Sequence, residues 1–220
     1  MTRQISGLTP ERVRANLDEV RERIAAAAAK AGRDADDVEL VAAVKYVPVE
    51  QLTALADGGV RVLGENRAQD LEAKAAAHPD DFTWDFIGHV QSRKVKRIAP
   101  RVRLIHSVCT DSVLEQLGRH APPGLRVLVE VNVAGEEGKD GVAPAALDAF
   151  LERCPVAVVG LMTMPPQAQD AEDSRRWFAA LRELAAARGL RELSMGTTQD
   201  FEVAVEEGAT LVRIGSRLLR

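Results

Sequence analysis

The sequence predicts an α/β fold: a single (β/α)8 barrel of TIM type over residues 1–220, with an extra helix on its N-terminal side. Two observations point there. Eight short apolar runs alternate strictly with helical stretches, the pattern of right-handed βαβ units around a parallel sheet. No GxGxxG follows the first run, which disfavours the rival open, doubly wound sheet.

In chain order, Thr9 followed by Pro10 reads as a helix start, with Thr9 as N-cap and the missing N–H of proline harmless in the first turn. Val13, Leu17, Val20, Ile24 and Ala28 recur at helical spacing, so a helix over 10–31 presents one apolar face. The strand-like runs are 38–45, 60–66, 83–88, 103–108, 126–133, 156–164, 192–196 and 211–215. Between them lie helical stretches near 49–56, 68–77, 91–98, 111–119, 143–153, 171–187 and 200–207. Little chain follows the eighth run, so the N-terminal helix is expected where an eighth outer helix would pack.

Composition narrows the function. Hydrophobic residues at 46% and charged ones at 28% describe a globular chain with a core, not a disordered one. The net charge of -4 argues against a surface built wholly for nucleic acid. Arg93, Lys94, Lys96, Arg97, Arg101 and Arg103 form a local basic stretch, but without interleaved aromatics it reads as a solvated helix face. Cys109 and Cys154 lie in no CxxC pattern and read as small core residues of a reducing compartment. Met1 to Leu8 lack the pattern of a secretory leader, and no run is long enough for a spanning helix, so a cytoplasmic protein without a membrane partner is expected. No three histidines and carboxylates have metal-ligand spacing, so no metal is expected. Trp84 and Trp177 are expected as core anchors.

In such a barrel, function gathers at the carboxyl ends of the strands, with phosphate often held after strands 7 and 8. Strand 1 ends in Lys45, on the same face as Ala43 and Val41. Desolvation there would free its amine to attack a carbonyl and form a Schiff base; the plainer reading is a lysine snorkelling to the rim and pairing with a carboxylate such as Glu65. Strand 7 ends Ser194-Met195-Gly196-Thr197-Thr198 and strand 8 reads Val212-Arg213-Ile214-Gly215-Ser216, hydroxyls and glycines suited to a phosphate cup. Arg213 must find an acceptor, such as an aromatic ring nitrogen or a carboxylate like Glu130 or Glu65, or stay solvated at the barrel mouth. Lysine for an aldehyde, cup for a phosphate and arginine for a pyridine nitrogen are the three handles of pyridoxal 5'-phosphate (PLP).

At these residues the sequence resembles the pyridoxal phosphate homeostasis proteins, a family similar to the barrel domain of alanine racemase. The segments carrying the resemblance are Val44-Lys45, Gly64-Glu65-Asn66, Phe86-Ile87-Gly88-His89, Ile105-His106-Ser107, Val131-Asn132-Val133, Gly160-Leu161-Met162-Thr163-Met164, Ser194-Met195-Gly196 and Val212-Arg213-Ile214-Gly215-Ser216. It implies PLP on Lys45 as a Schiff base, phosphate on Ser194, Gly215 and Ser216, Arg213 at the ring nitrogen, and Asn66 and Met162 lining the cofactor. Met195 is counted with them, although methionines at such places are more often core filler. It implies a role in vitamin B6 balance without established turnover. Thr197-Thr198 stands where relatives have Met-Ser, and Ser216 where threonine is common; both keep hydroxyls near the cup.

An arginine at the ring nitrogen makes a weaker electron sink than an aspartate would. A racemase also needs a second acid/base, and the single tyrosine, Tyr46, is expected on the far side of the strand. The expectation is therefore a monomeric carrier of PLP, with PLP-dependent apoenzymes as candidate partners. The alternatives are a fold-type III PLP enzyme, such as a racemase or decarboxylase, and a cofactor-free Schiff-base aldolase.

Overall fold

The computed structural model describes residues 5–219; Met1 to Gln4, half of the start inspected for a leader, and Arg220 lie outside it. Eight parallel strands close into a barrel in the order β1 to β8. They are β1 (Glu39–Ala43), β2 (Val62–Glu65), β3 (Thr83–Phe86), β4 (Leu104–Val108), β5 (Arg126–Glu130), β6 (Ala157–Met162), β7 (Glu192–Thr197) and β8 (Leu211–Ile214). The outer helices are α1 (Pro10–Lys30), α2 (Leu52–Asp57), α3 (Ala68–Ala77), α4 (Val95–Ile98), α5 (Asp111–His120), α6 (Leu147–Glu152), α7 (Arg175–Ala186) and α8 (Phe201–Glu206). The expected helices at 49–56, 91–98, 143–153 and 171–187 each open on a 3-10 turn, so their α portions are shorter than the hydrophobic period suggests. The strands stop short of the expected runs mainly at their carboxyl ends, and past β6 Met164 lines the mouth.

Period-2 alternation divides the apolar residues into two cores. Val41, Leu104, Leu128, Met162 and Leu211 fill the barrel interior. The larger core lies between barrel and helices and takes the opposite parity, with Ala42, Val44, Leu63, Phe86 and Met195. α1 does occupy the place of a closing helix. Thr9 accepts from Arg12 N–H as its N-cap, and the buried stripe Val13, Leu17, Val20, Ile24, Ala28 faces inward. Arg23 holds Glu202 of α8 in a bidentate pair at 2.6 Å, Lys30 reaches Glu206 at 2.7 Å, and Asn16 donates to Leu218 O at 3.1 Å. The seam between β1 and β8, paired from Glu39↔Leu211 to Ala42↔Ile214, is thus covered.

Trp84 is buried in the outer core against Phe82, but Trp177 is only half-buried, with the Arg176 guanidinium 4.5 Å from its ring; the core anchor of α7 is Phe178. Helical parity decides this, since neighbours on a helix lie about 100° apart and cannot both face inward. The basic stretch is partly consumed internally: Arg97 and Arg101 pair with Glu72, and Arg103 with Asp85 and Glu39. Both cysteines are free and half-buried, and burial pushes the Cys109 thiol up to about 11. No helix among the described residues is long and apolar enough to cross a membrane.

Candidate functional site

The carboxyl ends of the strands open on a cavity of about 360 Å³, inside the range of small-molecule sites. Lys45, Asn66, Met162, Arg213 and Gly215 all line it, together with Glu130 and Thr198. Lys45 lies in a turn two residues past β1 and is exposed, so the burial expected to activate it is absent. Its Nζ sits 4.6 Å from the Tyr46 ring centroid, which places Tyr46 beside the lysine and not across the strand, because the chain has already left the extended geometry that alternation assumes.

The expected partner Glu65 is occupied elsewhere. It is fully buried, and its Oε1 accepts from Asn66 N–H at 2.6 Å and Arg67 N–H at 3.1 Å while its Oε2 takes Lys74 Nζ at 2.5 Å. Lys74 also donates to Val44 O at 2.7 Å. One buried ion pair therefore holds the residue before Lys45 and the residue before Asn66, fixing two cavity residues from behind. Among the described residues no carboxylate pairs with Lys45. Asn66 Oδ1 is buried without a hydrogen-bond partner, an acceptor that costs free energy until a donor reaches it.

On the neighbouring strand, just past β8, Gly215 N–H donates to Thr198 Oγ1 at 3.2 Å. An added Cβ on Gly215 would meet Ala43 O and Cβ at 3.5 and 3.6 Å, ordinary contacts, so packing does not require the missing side chain. Its absence leaves the backbone open to a close approach from the cavity. Ser216 is exposed in the following turn and lines an adjoining hollow with Thr198 and Arg217. Ser194 does not belong to the cup: it is fully buried a rung below and spends its hydroxyl on Arg213 and His106. Met195 is also displaced, since Ser194 faces the barrel axis and its neighbour must face the helices. The hydroxyl beside Gly215 is Thr198, which the sequence reading placed near the cup without assigning it.

Arg213 is 5% exposed and bonded to neutral groups: Nη1 donates to Ser194 Oγ at 2.5 Å, and Nη2 to Thr163 O at 3.0 Å and Met164 Sδ at 2.9 Å. Neither Glu65 nor Glu130 bridges it. Burial without a carboxylate contact brings its pKa down to about 10, still cationic at neutral pH. Glu130 is pushed above the usual carboxylate range by burial and then by Asp140, which itself contacts His89 at 2.8 Å.

Behind Arg213, a polar chain runs down the barrel. His106 Nδ1 lies 2.8 Å from Ser194 Oγ and its Nε2 3.1 Å from Asp85 Oδ2. Arg103 donates to both Asp85 oxygens, at 2.9 and 3.1 Å, and to Glu39 at the opposite rim. Burial lowers the His106 pKa against the pull of Asp85, while the hydrogen bonds of His106 and Arg103 hold Asp85 low despite its burial. The unfolded chain takes up a proton on the His106 ring below about 6.5 while the native ring stays neutral to lower pH, so stability falls on acidification through that window. The expected slope from this group approaches about 1.4 kcal/mol per pH unit. Urea unfolding of wild type and His106→Gln between neutral and mildly acid pH checks it: the variant's slope is expected to be flatter, and equal slopes refute the assignment.

Residues 15–219 match the family model described as alanine racemase, N-terminal domain. The pyridoxal phosphate homeostasis protein of Aquifex aeolicus is 43% identical over 216 residues, covering 92% of this chain and 95% of that one. Its namesake in Pseudomonas aeruginosa is 38% identical over 213 residues, covering 92% and 93%. PipY of Synechococcus elongatus, solved with PLP bound, is 29% identical, covers 94% of this chain and all of that one (100%), and superposes with a TM-score of 0.79.

Proposed function

Because the chain belongs to the alanine racemase N-terminal domain family and, within it, to the pyridoxal phosphate homeostasis proteins, we propose that it binds PLP and serves intracellular vitamin B6 balance as a carrier. The observation that carries this reading is the convergence of Lys45, Asn66, Arg213 and the Gly215–Thr198 pair on one cavity, with Asn66 Oδ1 buried and unpartnered. When bound, PLP supplies an aldehyde that captures amines and a pyridine ring that withdraws electrons.

Each residue then has a part. Lys45 offers the amine for covalent attachment, and its exposure leaves that amine accessible to an incoming aldehyde. The Thr198 hydroxyl, which has its own proton to donate while it accepts from Gly215 N–H, and the Ser216 turn hold the phosphate, with Gly215 leaving room for its close approach. Arg213 donates to the ring nitrogen, Met162 packs against the ring, and Asn66 lines the space beside it. Arg213, still charged at neutral pH, supplies a hydrogen bond without giving up its proton, which leaves the ring a weaker electron sink and favours holding the cofactor over turning over amino acids. The carrier acts as a monomer in the cytoplasm and hands PLP to apoenzymes.

The test is an absorbance titration of the purified protein with PLP, before and after borohydride, beside Lys45→Ala. A visible band fixed by reduction in wild type and absent from the variant is expected. A protein that stays colourless, or a variant that loads like wild type, overturns the reading. If the protein instead traps a sugar phosphate under borohydride without PLP, the aldolase alternative replaces it.

A further inference from the structure

The chain of buried polar groups beneath Arg213 has a definite direction. Asp85, held ionised between Arg103 and His106, is acceptor-only, so the His106 nitrogen facing it, Nε2, carries the ring proton. A neutral His106 then has only an acceptor at Nδ1, and the one proton of Ser194 must point to it. That leaves the Ser194 oxygen able only to accept, and what it accepts from is Arg213 Nη1. Thr163 O and Met164 Sδ take up Nη2. Three hydrogen bonds on two of its nitrogens thus set the guanidinium plane.

We propose that Ser194, His106 and Asp85 are positioning residues which act through one another to fix Arg213 as an oriented donor for the cofactor ring nitrogen. This rests on the PLP-binding reading above. The ordering is built over long sequence distances, with Ser194 on β7, His106 on β4 and Asp85 on β3, and these three are fully buried, so water does not substitute for a missing link among them.

Two measurements test it. In the protein without PLP, the imidazole nitrogen NMR spectrum at neutral pH is expected to show His106 as the neutral Nε2–H tautomer; an Nδ1–H tautomer or an imidazolium overturns the proposal. In the loaded protein, Ser194→Ala is expected to keep the borohydride-fixable link to Lys45 but to weaken PLP affinity about tenfold, the order of one hydrogen bond to a charged group. In an Arg213→Gln background the same Ser194→Ala change is expected to cost little further affinity, since it acts only through the guanidinium. An equal loss in both backgrounds indicates a merely structural serine and refutes the positioning role, as does wild-type affinity in Ser194→Ala. If wild type itself fails to load, the PLP-binding reading fails, and the tautomer measurement still reports on the relay.

Discussion

Lys74→Met is expected to lower the unfolding free energy by about 3–5 kcal/mol, the cost of leaving one member of a buried ion pair without its partner. Glu65 is fully buried and Lys74 nearly so, and the ammonium also satisfies the Val44 carbonyl. The Met side chain fills the space of the aliphatic stem but leaves both acceptors unmet. PLP loading is expected to fall with stability, because Val44 precedes Lys45 and Glu65 organises the Asn66 and Arg67 amides. Urea unfolding and a PLP titration on the same samples check both parts. Glu65→Gln combined with Lys74→Met is expected to regain part of the stability, since the uncompensated charge is gone. A single variant within about 1 kcal/mol of wild type shows that the pair carries neither load.

Gly160→Ala is expected to be the most damaging small substitution in the barrel. A Cβ there would stand 1.9 Å from Glu192 O and 2.5 Å from its carbonyl carbon, and a backbone cannot yield as a side-chain tip can. Gly160 faces Glu192 across the β6–β7 ladder, two rungs before Met162 meets Ser194. Pushing β7 away therefore drags Ser194 from Arg213. A loss of at least about 3 kcal/mol is expected, or about 6–12 °C in Tm for a chain of this size. The PLP site is expected to loosen with it. Thermal unfolding decides, and a Tm within about 2 °C of wild type refutes the clash.

The barrel was legible because its signal is local: each apolar run and each helical period reports on itself, and eight of them in alternation leave few topologies. The place of Lys45 at the cavity was legible because it follows an apolar run directly, although it stands in a turn past β1 and not in the strand. What failed was parity applied past the strand, which misplaced Tyr46, and parity ignored within it, which grouped Met195 with Ser194. The polar interior was least legible. Asp85 between Trp84 and Phe86, and His106 between Ile105 and Ser107, each carried a readable sign, a polar residue at an inward position of a strand. Their partners did not: Ser194 lies 88 residues from His106, and only barrel closure brings them together. Glu65 is one carboxylate a rim-seeking Lys45 could meet because β1 and β2 are neighbours, whereas Lys74 reaches it from α3, an element that reading the strand ends alone leaves out.

The seam under α1 sets an order of events during synthesis. β1 leaves the ribosome early, yet one of its two ladders is made with β8, and α1 rests on α8. Lys45 is therefore made long before Thr198, Arg213 and Gly215, which line the same cavity and are proposed to hold the ring and phosphate of PLP. Until β8 arrives, the nascent chain has an open edge at β1 and an apolar helix with half of its seat missing, two surfaces prone to the wrong neighbours. Closure of the barrel accordingly waits on contacts between the first and last thirds of the chain, although every other strand pairs with its sequence neighbour, and the cavity at the strand ends is complete only once the eighth strand is in place.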